Sequence, residues 1–339
     1  MFMELVSQKK PPYWNLVADV GGTNARFGLA PQTGRNFNAI EDIQVLRCAD
    51  YKNIQSVVNA YLERLPLTKR KEIQEACVAV AGPTEGDRVE VTNLSWVFSK
   101  SVVAEQTGLS RFAVINDFSA LALACPQLRS EDKILIGDVR EDGGVMDSLG
   151  RLAVIGPGTG LGVCGVLATG KSYLALPCEG GHATISPVTD EECSLYNFLK
   201  SDFPHVSAEH FLSGRGIENI YRGLGALRGI PPTFTQAEEI GAAALNRTCE
   251  QARDAVIMFC NLLGTFVGDV VLTLGARNGV YLGGGILPML KPLLLESDFE
   301  NRVRSKGVMS SYVANTPIEL VVHPFPALIG ASFFLSQKY

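Results

Sequence analysis

Apolar positions gather twice into a pair of short runs split by a glycine-rich polar turn, and the remaining elements are arranged around these two places. Residues 16–20 and 26–30 read as strands joined by Gly21-Gly22-Thr23-Asn24. The same order recurs over 152–166, where two apolar strands flank Gly158, Thr159 and Gly160. Both are β-hairpins, because the apolar pattern resumes directly after the turn with no helical stretch to open a βαβ unit. Two like hairpins more than a hundred residues apart predict two like halves. If the halves face one another, both turns converge on one ligand in the cleft between them.

Between the hairpins the period alternates. Residues 37–47 alternate in character, 53–65 carry apolar positions at helical spacing up to Pro66, and 75–81 form a buried strand stopped by Gly82-Pro83. A short strand over 88–91, a polar loop over 92–96, a helix over 100–107, a strand over 112–115 and a helix over 119–124 follow. The second half begins at 133–137 and runs into the second hairpin, and beyond it the acids Asp190, Glu191 and Glu192 start a solvated helix reaching Leu199. Ser207 reads as an N-cap that puts Glu209 in a first helical turn. Residues 235–274 are helical, with Thr235 to Glu238 as a capping box and a break near Cys249. Residues 279–288 read as strand, glycine turn and helix start, 318–323 as a strand, and 327–337 as an apolar helix packing back on the first half. Strands alternating with helices after a meander indicate α/β architecture.

Composition narrows the class. The 339 residues suffice for two domains with substantial cores. A net charge of −5 without a basic stripe argues against nucleic acid as a partner. Residues 1–13 contain Lys9-Lys10-Pro11-Pro12 but no signal-like apolar core, so a short solvated arm and no secretion are expected. Eight scattered cysteines without a Cys-x-x-Cys pair fit a reducing compartment, hence the cytoplasm. The most apolar run, 255–275, contains Asn261, Asp269 and several glycines, and is expected to be a buried core helix rather than a membrane span.

Candidate chemistry sits in the turns. Bare glycines admit a phosphate to the backbone, Thr23 and Asn24 donate hydrogen bonds, and Arg26 adds positive charge. Asp19 lies within a strand, where a lone carboxylate is costly, and a partner such as hydrated Mg²⁺ is expected. Asp117 follows the 112–115 strand, a place where ligands bind in open α/β sheets, and reads either as a general base or as the cap of the next helix. Glu179 and His182, three apart across Gly180-Gly181, read as hydrogen-bonding groups facing a cavity, with no cysteine cluster to support zinc. Gly283, Gly284 and Gly285 allow a flat group such as adenine to lie on backbone.

Seven segments then occur in a recognisable order: Asp19-Val-Gly-Gly-Thr-Asn-Ala-Arg26, Thr92-Asn-Leu-Ser-Trp96, Ile115-Asn-Asp-Phe118, Gly156-Pro-Gly-Thr-Gly-Leu-Gly162, Glu179-Gly-Gly-His182, His205-Val-Ser-Ala-Glu-His-Phe-Leu-Ser-Gly214 and Leu282-Gly-Gly-Gly285. In them the chain resembles the bacterial glucokinases of the hexokinase/actin ATPase superfamily, outside the repressor branch, whose cysteine-rich zinc motif is missing. The resemblance implies an α/β fold of two ribonuclease-H-like domains around a cleft, a small one of 1–128 plus 318–339 and a large one of 129–317. It implies transfer of the ATP γ-phosphoryl group to the 6-hydroxyl of glucose with Mg²⁺, at the entry to glycolysis, by a homodimer. It places Asn93, Asn116, Asp117, Glu179, His182 and Glu209 on the sugar, with Asp117 as base. It places Asp19, Gly21, Gly22, Thr23, Asn24, Arg26, Gly158, Thr159, Gly160, Gly283, Gly284 and Gly285 on the nucleotide, Asp19 meeting Mg²⁺ through water. Cys178 departs from the family, which commonly has glycine there. A sugar-sensing transcription factor would need a DNA-binding module, for which residues 1–15 are too short, and a non-catalytic ATPase would lack the sugar set.

Overall fold

The computed structural model describes residues 13–32, 36–137, 150–170 and 172–337, so most of the expected 1–13 arm lies outside the described residues. The chain forms two compact units, Met1–Gln127 with Phe325–Tyr339, and Leu128–Pro324.

In the first unit, β1 (Trp14–Val20), β2 (Asn24–Pro31) and β3 (Glu41–Arg47) form an antiparallel meander. Strand β4 (Ile73–Val80) adds in parallel to β1. A separate two-stranded ribbon, β5 (Arg88–Glu90) with β6 (Val97–Ser99), precedes β7 (Arg111–Asn116), which lies parallel to β4. The sheet order is β3-β2-β1-β4-β7. Strand alternation then sorts the side chains to two faces. Leu16, Ala18 and Val20 meet Val57, Val58 and Tyr61 of helix Ile54–Glu63 on one face. Val17, Cys77, Ala79 and Ile115 meet helices Asp117–Ala124 and Pro326–Ser336 on the other.

Those last two helices pack so closely that a Cβ at Gly330 would run into the Ala120 carbonyl oxygen. Gly330→Ala is therefore expected to destabilise this unit by about 1–3 kcal/mol through overpacking, read as a lowered unfolding midpoint.

The second unit contains β8 (Lys133–Leu135), β9 (Arg151–Pro157), β10 (Leu161–Thr169), β11 (Ser172–Cys178), β12 (Val280–Leu282) and β13 (Ile318–Val321). Its order is β11-β10-β9-β12-β13-β8. An antiparallel meander, β9 to β11, again continues into parallel strands, β12 and β13, so both halves repeat one plan. Strand β13 does not join the first unit as the 318–339 assignment expected. Its backbone pairs with β12 on one side and β8 on the other, which satisfies its buried peptide groups, and the first unit resumes only at Phe325.

Helix Glu250–Leu274 is long and apolar enough to cross a membrane by length and composition, yet 78% of its apolar window is buried within the unit. Phe259, Leu263 and Val267 are fully enclosed among the surrounding helices and sheet. The chain breaks before this helix at Arg247, whose φ is +57°.

Two local expectations are corrected by tertiary partners. Glu192 is not solvated: it is 2% exposed, accepts from the Val188 and Thr189 N–H groups, and forms a two-pronged ion pair with Arg302 at 2.9 and 3.0 Å. The Thr235–Glu238 capping box does not form. The helix begins at Ala237, whose N–H donates instead to Glu218 Oε1 of the preceding helix at 3.0 Å.

Candidate active site

In the first unit β1, β4 and β7 run parallel, with Val20, Val80 and Asn116 in register at their carboxyl ends. The β1–β2 turn projects from that edge. It is closed by Gly21 N–H donating to Asn24 C=O at 3.0 Å and strapped by Cys48, whose N–H donates to Thr23 C=O at 2.8 Å and whose thiol donates to Gly21 C=O at 3.3 Å. Cys48 had no local signal of this task, because it lies 27 residues from Gly21 in the chain. Asn93 is placed against the turn, where a Cβ on Gly22 would come within 3.0 Å of its own Cβ.

Asp19 shares the sheet face of Val17, the face covered by the helix that Asp117 begins. Its partner in the structure is Arg26, directly opposite in the hairpin register, with Nη1 to Oδ2 at 3.1 Å. Where the sequence led to a hydrated Mg²⁺, the partner within the fold is a protein cation, and the Arg26 guanidinium is engaged by a carboxylate. Burial nonetheless pushes the Asp19 carboxyl above its usual range; Arg26 opposes this, and the nearby Asp117 adds to it.

Of the two readings of Asp117, the helix cap is taken by its neighbour. Asn116 is the helix cap: its Oδ1 accepts from Phe118 N–H at 2.9 Å and Ser119 N–H at 3.1 Å. Asp117 enters the first turn, with its own Oδ1 accepting from Phe118 N–H at 2.8 Å. Burial raises its carboxyl above the ordinary value, against the lowering effect of backbone N–H groups and of a hydrogen bond from Asn116.

In the second unit the sequence-predicted residues surround the start of β10. The β9–β10 turn is closed by Gly158 N–H donating to Gly160 C=O at 2.8 Å. The turn of Gly283, Gly284 and Gly285 backs on it, with Gly283 N–H donating to Ile155 C=O at 2.8 Å. At Gly284 φ is +84°, and a Cβ would strike the Pro157 carbonyl, so a side chain is excluded there twice over. Glu209 follows Ser207 in a first turn, and its carboxylate engages a distant backbone group. It lies in a single 3₁₀ turn, Ala208–His210, before helix Gly214–Arg228, and its Oε2 accepts from Leu161 N–H at 2.8 Å. The loop carrying Glu179 and His182 packs on β10 through Gly180 and Gly181. Both acidic and imidazole side chains of that loop are exposed, and the His182 carbonyl is 2.9 Å from His205 Nε2.

The Glucokinase family profile matches residues 16–338. A glucokinase of Saccharophagus degradans is 41% identical over 328 residues, covering 96% of this chain and 98% of that one. The chain belongs to the glucokinase family. The crystal structure of a glucokinase from an Antarctic psychrotroph is 37% identical with a TM-score of 0.86, covering 96% of this chain and 99% of that one. A glucokinase from Balamuthia mandrillaris, solved in complex with glucose, shares the fold at 18% identity and a TM-score of 0.77, covering 98% and 96% of the two chains. Membership makes this protein an ATP-dependent glucose kinase with the two-unit α/β fold of the actin/hexokinase type, transferring the γ-phosphoryl group to the glucose 6-hydroxyl.

Among the described residues no three His, Cys, Asp or Glu side chains gather as a metal-holding group. The Asp117 carboxylate acts on that of Asp19, which is paired with the guanidinium of Arg26. This donor set suits a hydrated Mg²⁺ bound through one or two carboxylates and substrate phosphates, and does not suit an all-protein cage.

Proposed function

We propose that glucose phosphorylation here uses Asp117 as general base. One observation carries this: the cap of helix Asp117–Ala124 is Asn116, so the adjacent carboxylate stands at the carboxyl edge of the sheet, held by Phe118 N–H and made more basic by burial. The transition state of phosphoryl transfer is loose, so positioning and charge neutralisation dominate, and a base contributes about 10²–10⁴-fold. Asp117 accepts the 6-hydroxyl proton as the bond to phosphorus forms. Asn116 has its oxygen engaged by the helix and one amide N–H by Asp117, which leaves the second N–H for a sugar hydroxyl. Glu179, His182 and Glu209 bind the other hydroxyls, and Asn93, placed against Gly22, joins the sugar set from the turn side.

The turn residues Gly21, Gly22, Thr23 and Asn24, with Gly158, Thr159 and Gly160, supply donors to the ATP phosphates. Gly283, Gly284 and Gly285 offer bare backbone to adenosine, and Arg26 acts by holding Asp19 in place. Asp19 would hold Mg²⁺ through water; that ion, when bound, neutralises charge on the phosphates. We further place the enzyme in the cytoplasm at the head of glycolysis. Its edge strand β11 exposes Leu174 and Leu176, which supports a homodimer.

ADP release with Mg-ATP tests the assignment. Glucose is expected to stimulate it strongly, and mannose, fructose, glucosamine and N-acetylglucosamine much less, because polar groups left unpaired by a poorly matched sugar are penalised. Hydrolysis indifferent to glucose would refute the sugar pocket.

A further inference from the structure

The turn between β9 and β10 is gripped at both ends by one distant segment. At its start, Gly158 C=O accepts from Gly214 N–H at 2.9 Å. At its end, Leu161 N–H donates to the Glu209 carboxylate at 2.8 Å. The gripping segment is itself braced, since Ser213 Oγ donates to Glu209 C=O at 2.8 Å and accepts from Gly216 N–H at 3.0 Å. On the other side of the same residue, the Glu179–His182 loop closes on the Leu161 carbonyl so tightly that a Cβ at Gly181 would collide with it. Inside the turn, Gly158 N–H donates to Gly160 C=O.

We propose that Glu209 is a positioning residue for the nucleotide, its carboxylate clasping Leu161 N–H so that the turn of Gly158, Thr159 and Gly160 keeps its shape for the ATP phosphates. The inference rests on the reading that this turn receives those phosphates. It adds to Glu209 a task separate from the sugar: the carboxylate links a sugar-binding segment to the phosphate turn. Because the clasp is a hydrogen bond to a carboxyl oxygen, an amide oxygen in the same place serves it. A side chain one methylene shorter does not reach.

The test is equilibrium binding of the non-hydrolysable analogue AMPPNP with Mg²⁺, without glucose, to the full-length protein, alongside glucose binding measured alone. Glu209→Ala should raise the AMPPNP Kd roughly tenfold, the value of one charge-assisted hydrogen bond. Glu209→Gln should stay within about threefold of the parent, since its amide oxygen restores the acceptor. Thr159→Glu, an exposed charge on the turn itself, should weaken AMPPNP through repulsion alone. If Thr159→Glu weakens AMPPNP while Glu209→Ala leaves it unchanged, the clasp is refuted and the turn keeps its nucleotide role. If neither variant changes AMPPNP binding, the phosphate reading of the turn fails and the clasp with it. If Glu209→Gln is as weak as Glu209→Ala, charge and not the hydrogen bond is responsible, which also overturns the clasp. Should Glu209→Ala fail to fold, Glu209→Asp carries the same expectation of weakened AMPPNP. Glucose affinity reports the sugar role of Glu209 independently of all these outcomes.

Discussion

Asp117→Asn lowers kcat by about 10²–10⁴-fold while the KM for glucose stays within a few-fold. The substitution keeps the volume and an acceptor for Phe118 N–H, and leaves the Asn116 cap intact, so the helix and the sheet edge it starts from persist. What disappears is the capacity to take a proton. The loss therefore falls on kcat and kcat/KM together, the pattern of an interaction made in the transition state. The parent's pH profile gives a second reading. Burial raises the Asp117 carboxyl, and the base form is lost as pH falls through that raised value. The acid limb of kcat/KM is thus expected above the ordinary carboxylate region near ~4. Near-normal turnover of the asparagine variant, or an acid limb at or below that region, would remove Asp117 from the role.

Arg302→Met destabilises the second unit by about 3–5 kcal/mol, the cost of leaving a buried carboxylate unpaired. Glu192 is enclosed and Arg302 is 11% exposed along its side chain, so water cannot take the place of the guanidinium. Arg302 also donates from Nε to Thr265 Oγ1 at 2.8 Å, tying helix Phe299–Arg304 to the buried helix Glu250–Leu274. The Val188 and Thr189 N–H groups still meet Glu192 in the variant, but they satisfy hydrogen bonds and do not neutralise its charge. Denaturant unfolding checks the loss. The pair Glu192→Gln with Arg302→Met should recover part of it, because the charge has then gone as well. A single-variant loss below about 1 kcal/mol would mean that the pair is effectively solvated.

The site was legible wherever one short stretch holds both the element and its chemistry. The two glycine turns, the acid at the end of β7 and the Glu179–His182 loop could each be located from the order of residues, since turn chemistry and strand period are local properties. The corrections share one cause. Glu192 looked like an exposed first-turn acid until Arg302, 110 residues onward, came to meet it. Glu209 does fall in a first turn after Ser207, but that Leu161, 48 residues earlier, presents its N–H to it has no local sign. Cys48 is a buried free thiol that also straps the first turn, a task its neighbours in sequence do not show. No window of sequence contains such partners.

The order of apolar and polar residues by itself determined two hairpins of one design and the alternation that fills two α/β units. Tertiary structure alone decided how those groups are employed: that Asn116 caps while Asp117 does not, that Arg26 faces Asp19, that β13 completes the second sheet, and that Glu209 holds the second turn. The physical reason is that strand period and turn conformation arise from neighbouring residues. Charge state, hydrogen-bond partner and burial arise instead from whatever the folded chain brings within a few ångströms.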